Sequence, residues 1–150
     1  MKVERDVSIP ASPETVWAFL WDVPRLATCI PGAKEVRTVE PGKRYAAVVG
    51  EKVGPFKVEV PLEIEVLEVE PPAALRARAG GRDARVDGLV KVELEVTLRP
   101  LDGGTALRVR ATIEVLGKLG TLGHSVIVRK GTDIVDRFAA AVRAALAQPC

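Results

Sequence analysis

"FKVEVPLEIEV", residues 56–66, decides how this chain is read. Phe56, Val58, Val60, Leu62, Ile64 and Val66 take the even positions, while Lys57, Glu59, Glu63 and Glu65 take odd ones. Successive side chains of a strand point to opposite faces, so this segment is a strand with one dry face and one wet face. Pro61 falls on the wet side and points to an edge or a bulge, because proline donates nothing to a strand ladder. The same alternation spreads in both directions. Residues 84–99 carry Val86, Val90, Val92, Leu94, Val96 and Leu98 on one side. Residues 105–116 carry Leu107, Val109, Ala111, Ile113 and Val115, set against Arg108, Arg110, Thr112 and Glu114. The "LDGGT" between these two runs is a strong hairpin signal. Upstream, residues 33–40 and 43–50 read as strands around "EPGK", and 73–79 as a short strand after "EPPA". Residues 2–9 add a first strand, with Val3, Arg5, Val7 and Ile9 on one face.

Two stretches have the other period. In "PASPETVWAFLWDVP" (10–24), Ser12 is a good N-cap, Pro13 suits the first helical position and Glu14 favours the helix dipole. Val16, Trp17 and Leu20 recur at helical spacing; Pro24 stops this helix and can open a short second one over about 24–29. From about Thr121 to Gln148 the pattern is again helical, with Leu119, Leu122, Val126, Ile134, Phe138, Ala141, Val142 and Ala145 in a stripe. A helix of about 27 residues is roughly 40 Å long. The order is one strand, two short helices, six strands and one long helix, in a single domain over 1–150.

Consecutive strands join by short turns, so the sheet is antiparallel and the class is α+β. Long half-dry strands and one apolar-striped helix imply a curved sheet gripping that helix. One helix rarely fills a strongly curved sheet, so an apolar cavity is expected between them. Its expected lining is Val7, Trp17, Tyr45, Phe56, Val58, Val60 and Leu62 from the first half of the chain. Val92, Leu94, Val109, Ala111 and Ile113 from the later strands complete it with Leu122, Val126, Ile134 and Phe138.

Composition narrows the function. Of 150 residues, 47% are hydrophobic, which excludes disorder, and only 4% are aromatic, so the core is built from Val, Leu, Ile and Ala. The 22 basic and 20 acidic residues are interspersed, leaving no electrostatic footprint for nucleic acid. There is no apolar run of the roughly 18 residues a spanning helix needs. "MKVERDVSIP" has no apolar core, so no secretion signal is expected and a cytoplasmic location is. Cys29 and Cys150 do not make a disulfide framework. The absence of Asn, with one Gln and one Met, hints at a thermophilic source.

No constellation for catalysis or metal binding stands out. His124 is the single histidine, so no metal set and no Ser-His-Asp grouping is expected. The carboxylates mostly fall on wet faces, which offers no general acid–base pair. Arg108 and Arg110 are expected to pair with those carboxylates across the outer face. The glycines of "VGEKVG" and "GKLGTLG" match no phosphate loop.

The arrangement resembles the helix-grip fold (START/Bet v 1-like) of the START/polyketide-cyclase (SRPBCC) superfamily. The local sequence resembles one branch of it, the G-subunit family of carbon monoxide dehydrogenase. The resemblance is carried by "PASPETVWAFLWDVPRLATCIPGAKEV" (10–36), "KVGPFKVEV" (52–60), "DGGTALRVRATIEVLGKLGTLG" (102–123) and "DRFAAAVRAAL" (136–146). It implies a non-catalytic accessory protein for a carbon monoxide dehydrogenase-type molybdenum hydroxylase, serving membrane recruitment or quinone coupling. A bound quinone, other isoprenoid or lipid is then the expected cargo, and no other cofactor. Longer members carry a C-terminal extension used at the membrane, which residues 1–150 do not include, so membrane contact at the inner face is expected to be peripheral at most. A lipid or polyketide binder without a dehydrogenase partner, and a cyclase or dehydratase acting through Tyr45 and His124, are the alternatives.

Within this frame "RLATCIPGAKEV" (25–36) shapes an entrance. Cys29 ends the second helix and, lacking a base or metal partner, reads as a small buried hydrophobe rather than a redox thiol. Pro31-Gly32 turns the chain into the next strand. Gly54-Pro55 is a tight turn or a loop over the cavity mouth. Gly117, Gly120 and Gly123 form a strand-to-helix connection or a hinge, and His124 beside them is solvated or touches a ligand at the mouth. Trp17 and Trp21 pack in the core or form a half-wet rim. Arg5 is a solvated strand-end residue or a polar anchor reaching into the cavity.

Overall fold

The computed structural model describes residues 1–83 and 85–147. Ala84, Gln148 and Cys150, expected at a strand start, at a helix end and outside any disulfide, lie outside the described residues. The elements are β1 (Lys2–Ile9), α1 (Pro13–Trp21), α2 (Val23–Ala27), β2 (Ala33–Glu40), β3 (Arg44–Val53), β4 (Phe56–Glu70), β5 (Ala74–Asp83), β6 (Gly88–Leu101), β7 (Gly104–Gly117), a 3₁₀ turn (Lys118–Leu122) and α3 (His124–Ala147). The seven strands form one antiparallel sheet in the order β1-β7-β6-β5-β4-β3-β2. Helix α3 touches both β1 and β3, although four strands separate them. A sheet that reaches the same helix from both sides must curl around it.

The expected periods form where they were read, with instructive shifts. Ser12 caps α1, its Oγ accepting from the Thr15 N–H at 3.2 Å, and Pro13 opens the helix. The long helix starts at His124, not near Thr121, because Gly117 (φ 79°) and Gly123 (φ 95°) bracket a separate 3₁₀ turn that buries Leu119. β6 starts at Gly88, and Val86 lies in the turn before it. Pro61 is on an interior strand, not an edge. Pairing of β4 with β5 runs only as far as Glu63–Gly80, and Pro61 lies past that end. Its nitrogen points to the same side as the Glu59 N–H two residues earlier, so no ladder bond is forgone.

The gap beyond Gly80 is closed by a side chain. Asp83 is 1% exposed. One carboxylate oxygen accepts from the Glu59 N–H at 2.6 Å, and the other accepts from the N–H groups of Arg85 (2.8 Å) and Val86 (3.0 Å). The Glu59 N–H bond is the main cause holding this carboxyl below the usual aspartate range; burial opposes it, and the two turn N–H groups add to the downward shift.

Glycine allows close approach at two places. Gly32 has φ 74°, and a Cβ there would collide with the Gly50 carbonyl oxygen, so β2 enters the sheet only through a glycine. At Gly131, in α3, a Cβ would stand 2.7 Å from Ile113 Cδ1, so the missing side chain brings the helix down onto β7 and β1. The most buried stripe of α3 is therefore Ile127, Val135, Ala139 and Val142. The expected stripe through Val126, Ile134, Phe138 and Ala141 is only half-buried, because the helix leans on β1 instead of sitting over the middle of the sheet. The outer face carries the expected ion pairs, Arg108–Asp6 at 3.1 Å and Arg110–Glu4 at 3.0 Å, exposed and individually worth about 0–1 kcal/mol.

Because the folded Asp83 carboxyl titrates below its unfolded value, the unfolded state binds more protons in that window. Its contribution is full above about pH 4 and is lost as pH falls through the folded value. Asp83→Asn is expected to cost about 1–3 kcal/mol at neutral pH and to flatten the acid limb of stability. Urea unfolding followed between pH 7 and pH 3 checks both.

Candidate functional site

The concave face of the sheet is built from cross-strand rows. One row runs Tyr45–Ile64–Ala79–Val92–Ile113 across five strands. Every member is half-buried, although the row lies on the face that α3 covers. On either side the packing closes. A first core holds Val3, Ile9, Val96, Leu98, Leu107 and Val109 of the sheet, Val16, Phe19 and Leu20 of α1, Cys29, and Val135 and Val142 of α3. A second core holds Val53, Val58, Val60 and Leu119, with Phe56, Leu62, Val86, Val90, Val115, Leu122 and Val126 packed against it. Tyr45, Ile64, Ala79 and Val92, with Ile134 of α3, belong to neither. They line an aliphatic band between two cores that solvent still reaches.

The expected lining thus divides three ways. Tyr45, Val92 and Ile134 lie in the band. Val7, Trp17, Leu94, Ile113 and Phe138 flank the first core, with Val109 inside it and Ala111 buried at 4% exposure. Val58 and Val60 are inside the second core, with Phe56, Leu62, Leu122 and Val126 around it. The four depressions outlined among the described residues lie elsewhere: two on the outer face, one beside α1 and one between β1 and the C-terminal half of α3.

The residues expected at a mouth or hinge are placed as follows. Cys29 is 4% exposed in the first core and packs there without facing an opening. Pro31 is half-buried beside Gly32. Gly54, in the β3–β4 turn before the exposed Pro55, faces Leu122 of the 3₁₀ turn, a Cβ there lying 3.3 Å from Leu122 Cδ2. The three hinge glycines are not equivalent. Gly117 lies against the Asp87 carbonyl and Gly120 against that of Val115, whereas Gly123 has open space around it. His124 is exposed at the first position of α3. Trp17 and Trp21 tilt against one another at 5.8 Å and lie half-buried on the first core. The Tyr45 hydroxyl accepts from the Gly42 N–H at 2.8 Å, which ties it to the β2–β3 turn.

Of the charged groups on the concave face, Arg5 was expected there as one of two readings, and Glu51 was missed. Arg5 shares that face with Val3 and Val7 and reaches Asp136 of α3 at 2.8 Å, with both side chains about half exposed. Glu51 faces the same way as Val49 and Val53 in β3, its side chain 14% exposed. It accepts from Arg137 of α3 and from Lys130 at 3.2 Å, while Asp133 takes a second bond from Arg137 at 2.8 Å. Burial acts most strongly on the Glu51 carboxyl and would raise it; the bonds from Arg137 and Lys130 outweigh burial and hold it below the usual range. The helical half of this cluster was legible as Lys130, Asp133 and Arg137 at spacings of three and four. The strand half was not, because "RYAAVVGEKV" (44–53) shows no clear alternation to say which face Glu51 takes. Among the described residues, no group of acidic, histidine or cysteine side chains is placed to hold a metal, and no helix is long and apolar enough to cross a membrane.

A family model for CoxG, the G subunit of carbon monoxide dehydrogenase, matches residues 6–147. Among curated proteins nothing matches. Solved structures share the fold. A conserved protein from Geobacillus kaustophilus is 23% identical with a TM-score of 0.88, over 98% of this chain and 95% of that one. A START superfamily protein from Mycobacterium smegmatis is 15% identical with a TM-score of 0.74, over 98% and 97%. A protein from Arthrobacter aurescens, solved by solution NMR, is 17% identical with a TM-score of 0.70, over 99% and 87%.

Glu51→Gln keeps the shape of the side chain and removes its charge. With Arg137 half exposed, the expected loss is about 1 kcal/mol. It should be visible at pH 7 and vanish in acid, where the wild-type carboxyl is itself protonated. Thermal unfolding at both pH values checks this.

Proposed function

Because this chain belongs to the CoxG family, the G subunits of carbon monoxide dehydrogenase, we propose that it is a ligand-binding accessory protein that holds an apolar molecule between its sheet and α3. The observation that carries this reading is the half-buried band of Tyr45, Ile64, Ala79, Val92 and Ile134 between two closed cores. Aliphatic side chains left partly wet on a covered face are a surface that a ligand can dry. Each methylene buried there contributes about 0.8 kcal/mol, so a chain of several can be held with few polar contacts. An isoprenoid or acyl tail suits such a surface.

In the fuller form of the proposal the partner is a carbon monoxide dehydrogenase-type molybdenum hydroxylase and the cargo is a quinone. The protein then carries quinone between the inner face of the membrane, touched peripherally, and the dehydrogenase. The protein binds and hands on, without reaction of its own. Tyr45 lies at the start of β3, tied to Gly42, and His124 is exposed at the start of α3, so their placement lends no support to a cyclase or dehydratase.

The test is mass spectrometry on untreated purified protein, as an organic extract and in the native state. The expected result is an isoprenoid quinone or another lipid at a single copy per chain. Val92→Glu, which puts a charge into the band, is expected to remain folded and to lose the bound molecule. A groove that is empty, and stays empty after incubation with quinones, removes the carrier reading.

A further inference from the structure

We infer that the seam between β3 and α3 is the portal by which a ligand enters the concave groove, and that Glu51, Lys130 and Arg137 form the gate across it. This rests on the reading of the groove as a ligand site.

Among the described residues, the β1 flank and both ends of the groove are closed by packing. On the β1 flank, Gly131 lets α3 sit directly on Ile113 and Val3, and Val135, Ala139 and Val142 are buried beneath the helix. The depression outside that flank, lined by Val7, Ala139 and Arg143 among others, is backed by the first core, where Leu107 and Val142 are 0% exposed. One end of the groove is closed by the second core, where the β3–β4 turn meets the 3₁₀ turn through Gly54 and Leu122. At the other end α1 seats Phe19 and Leu20 in the first core with Val142.

The β3 flank is different in kind. Helix α3 touches β3 at few places, and the link described there is ionic. Half-buried Val49 stands beside Glu51 on the same face of β3, and Ile134 of the band stands between Lys130 and Arg137 on α3. Parting an apolar seam exposes apolar surface to water, whereas parting this one exchanges ion pairs for hydration. Arg137, with a 46% exposed side chain, needs only a rotamer change to swing out, and Lys130 has the long flexible stem to follow. Asp133 lies within reach of both cations and receives them when they leave Glu51. The flank that opens most cheaply is also the one where Ile134, a band residue, stands.

Stopped-flow uptake of the neutral fluorophore Nile red by the full chain tests the portal. Wild-type uptake is expected to quicken as sodium chloride is raised and the ion pairs are screened. Glu51→Gln is expected to take up the dye about tenfold faster at low salt, the scale set by one charge-assisted hydrogen bond, and to lose the salt dependence. Asp136→Asn, which breaks the Arg5 pair on the β1 flank, should leave the rate unchanged. Equal rates for wild type and Glu51→Gln, or equal acceleration by Asp136→Asn, overturn the portal alone. Should Glu51→Gln fail to fold, a wild-type rate indifferent to salt overturns it by itself. Absence of uptake by every form overturns the groove reading, and the portal with it.

Discussion

One helix has to cover the dry face of seven strands, and it cannot. Helix α3 is wide enough to bury the rows nearest β1, where Gly131 draws it down onto Ile113 and Val3. The curl of the sheet then brings β3 round to the helix from the other side. Between those two contacts Ile64 and Val92 are half-buried and belong to neither core. The rest of the architecture follows from that shortage of cover. Helix α1 and the 3₁₀ turn each close one end, giving two cores instead of one.

Asp83, Arg5 and Glu51 each act where apolar packing stops. Asp83 replaces the ladder that β5 no longer offers to β4, bonding three backbone N–H groups. Arg5 and Glu51 each tie a strand to α3. A buried carboxylate is costly unless its oxygens are bonded, and both Asp83 and Glu51 are held below their usual titration range by the bonds they accept. Polar groups here are seams, placed where the sheet must change its partner from strand to turn or from strand to helix.

An apolar band and an ionic seam that meet at Ile134 suit a protein that loads and unloads an apolar molecule, as proposed. A wholly packed interior would resist a ligand, because close-packed cores admit no added volume without strain. An interior open on all sides would not keep one. The β3 flank lies between these extremes, while the β1 flank keeps the helix attached.

Much of this was legible from residues alone. Alternation in 56–66 and 105–115, the Ser12-Pro13 cap and the Asp-Gly-Gly turn determined the strands, the first helix and the hairpin, because those signals are local: a side chain's face and a turn's backbone are set by near neighbours. The apolar character of the site was local in the same sense. What only the tertiary structure decided was pairing at a distance. Whether Val58 packs in a core and Val92 stays outside both, whether Pro61 meets a ladder, and whether Glu51 turns inward to Arg137 all depend on register and on where one helix leans. Side chains of the same type, read from the sequence, are equal candidates for burial; contacts between residues 51 and 137, or between 3 and 131, exist only once the sheet has curled and chosen which of them the helix covers.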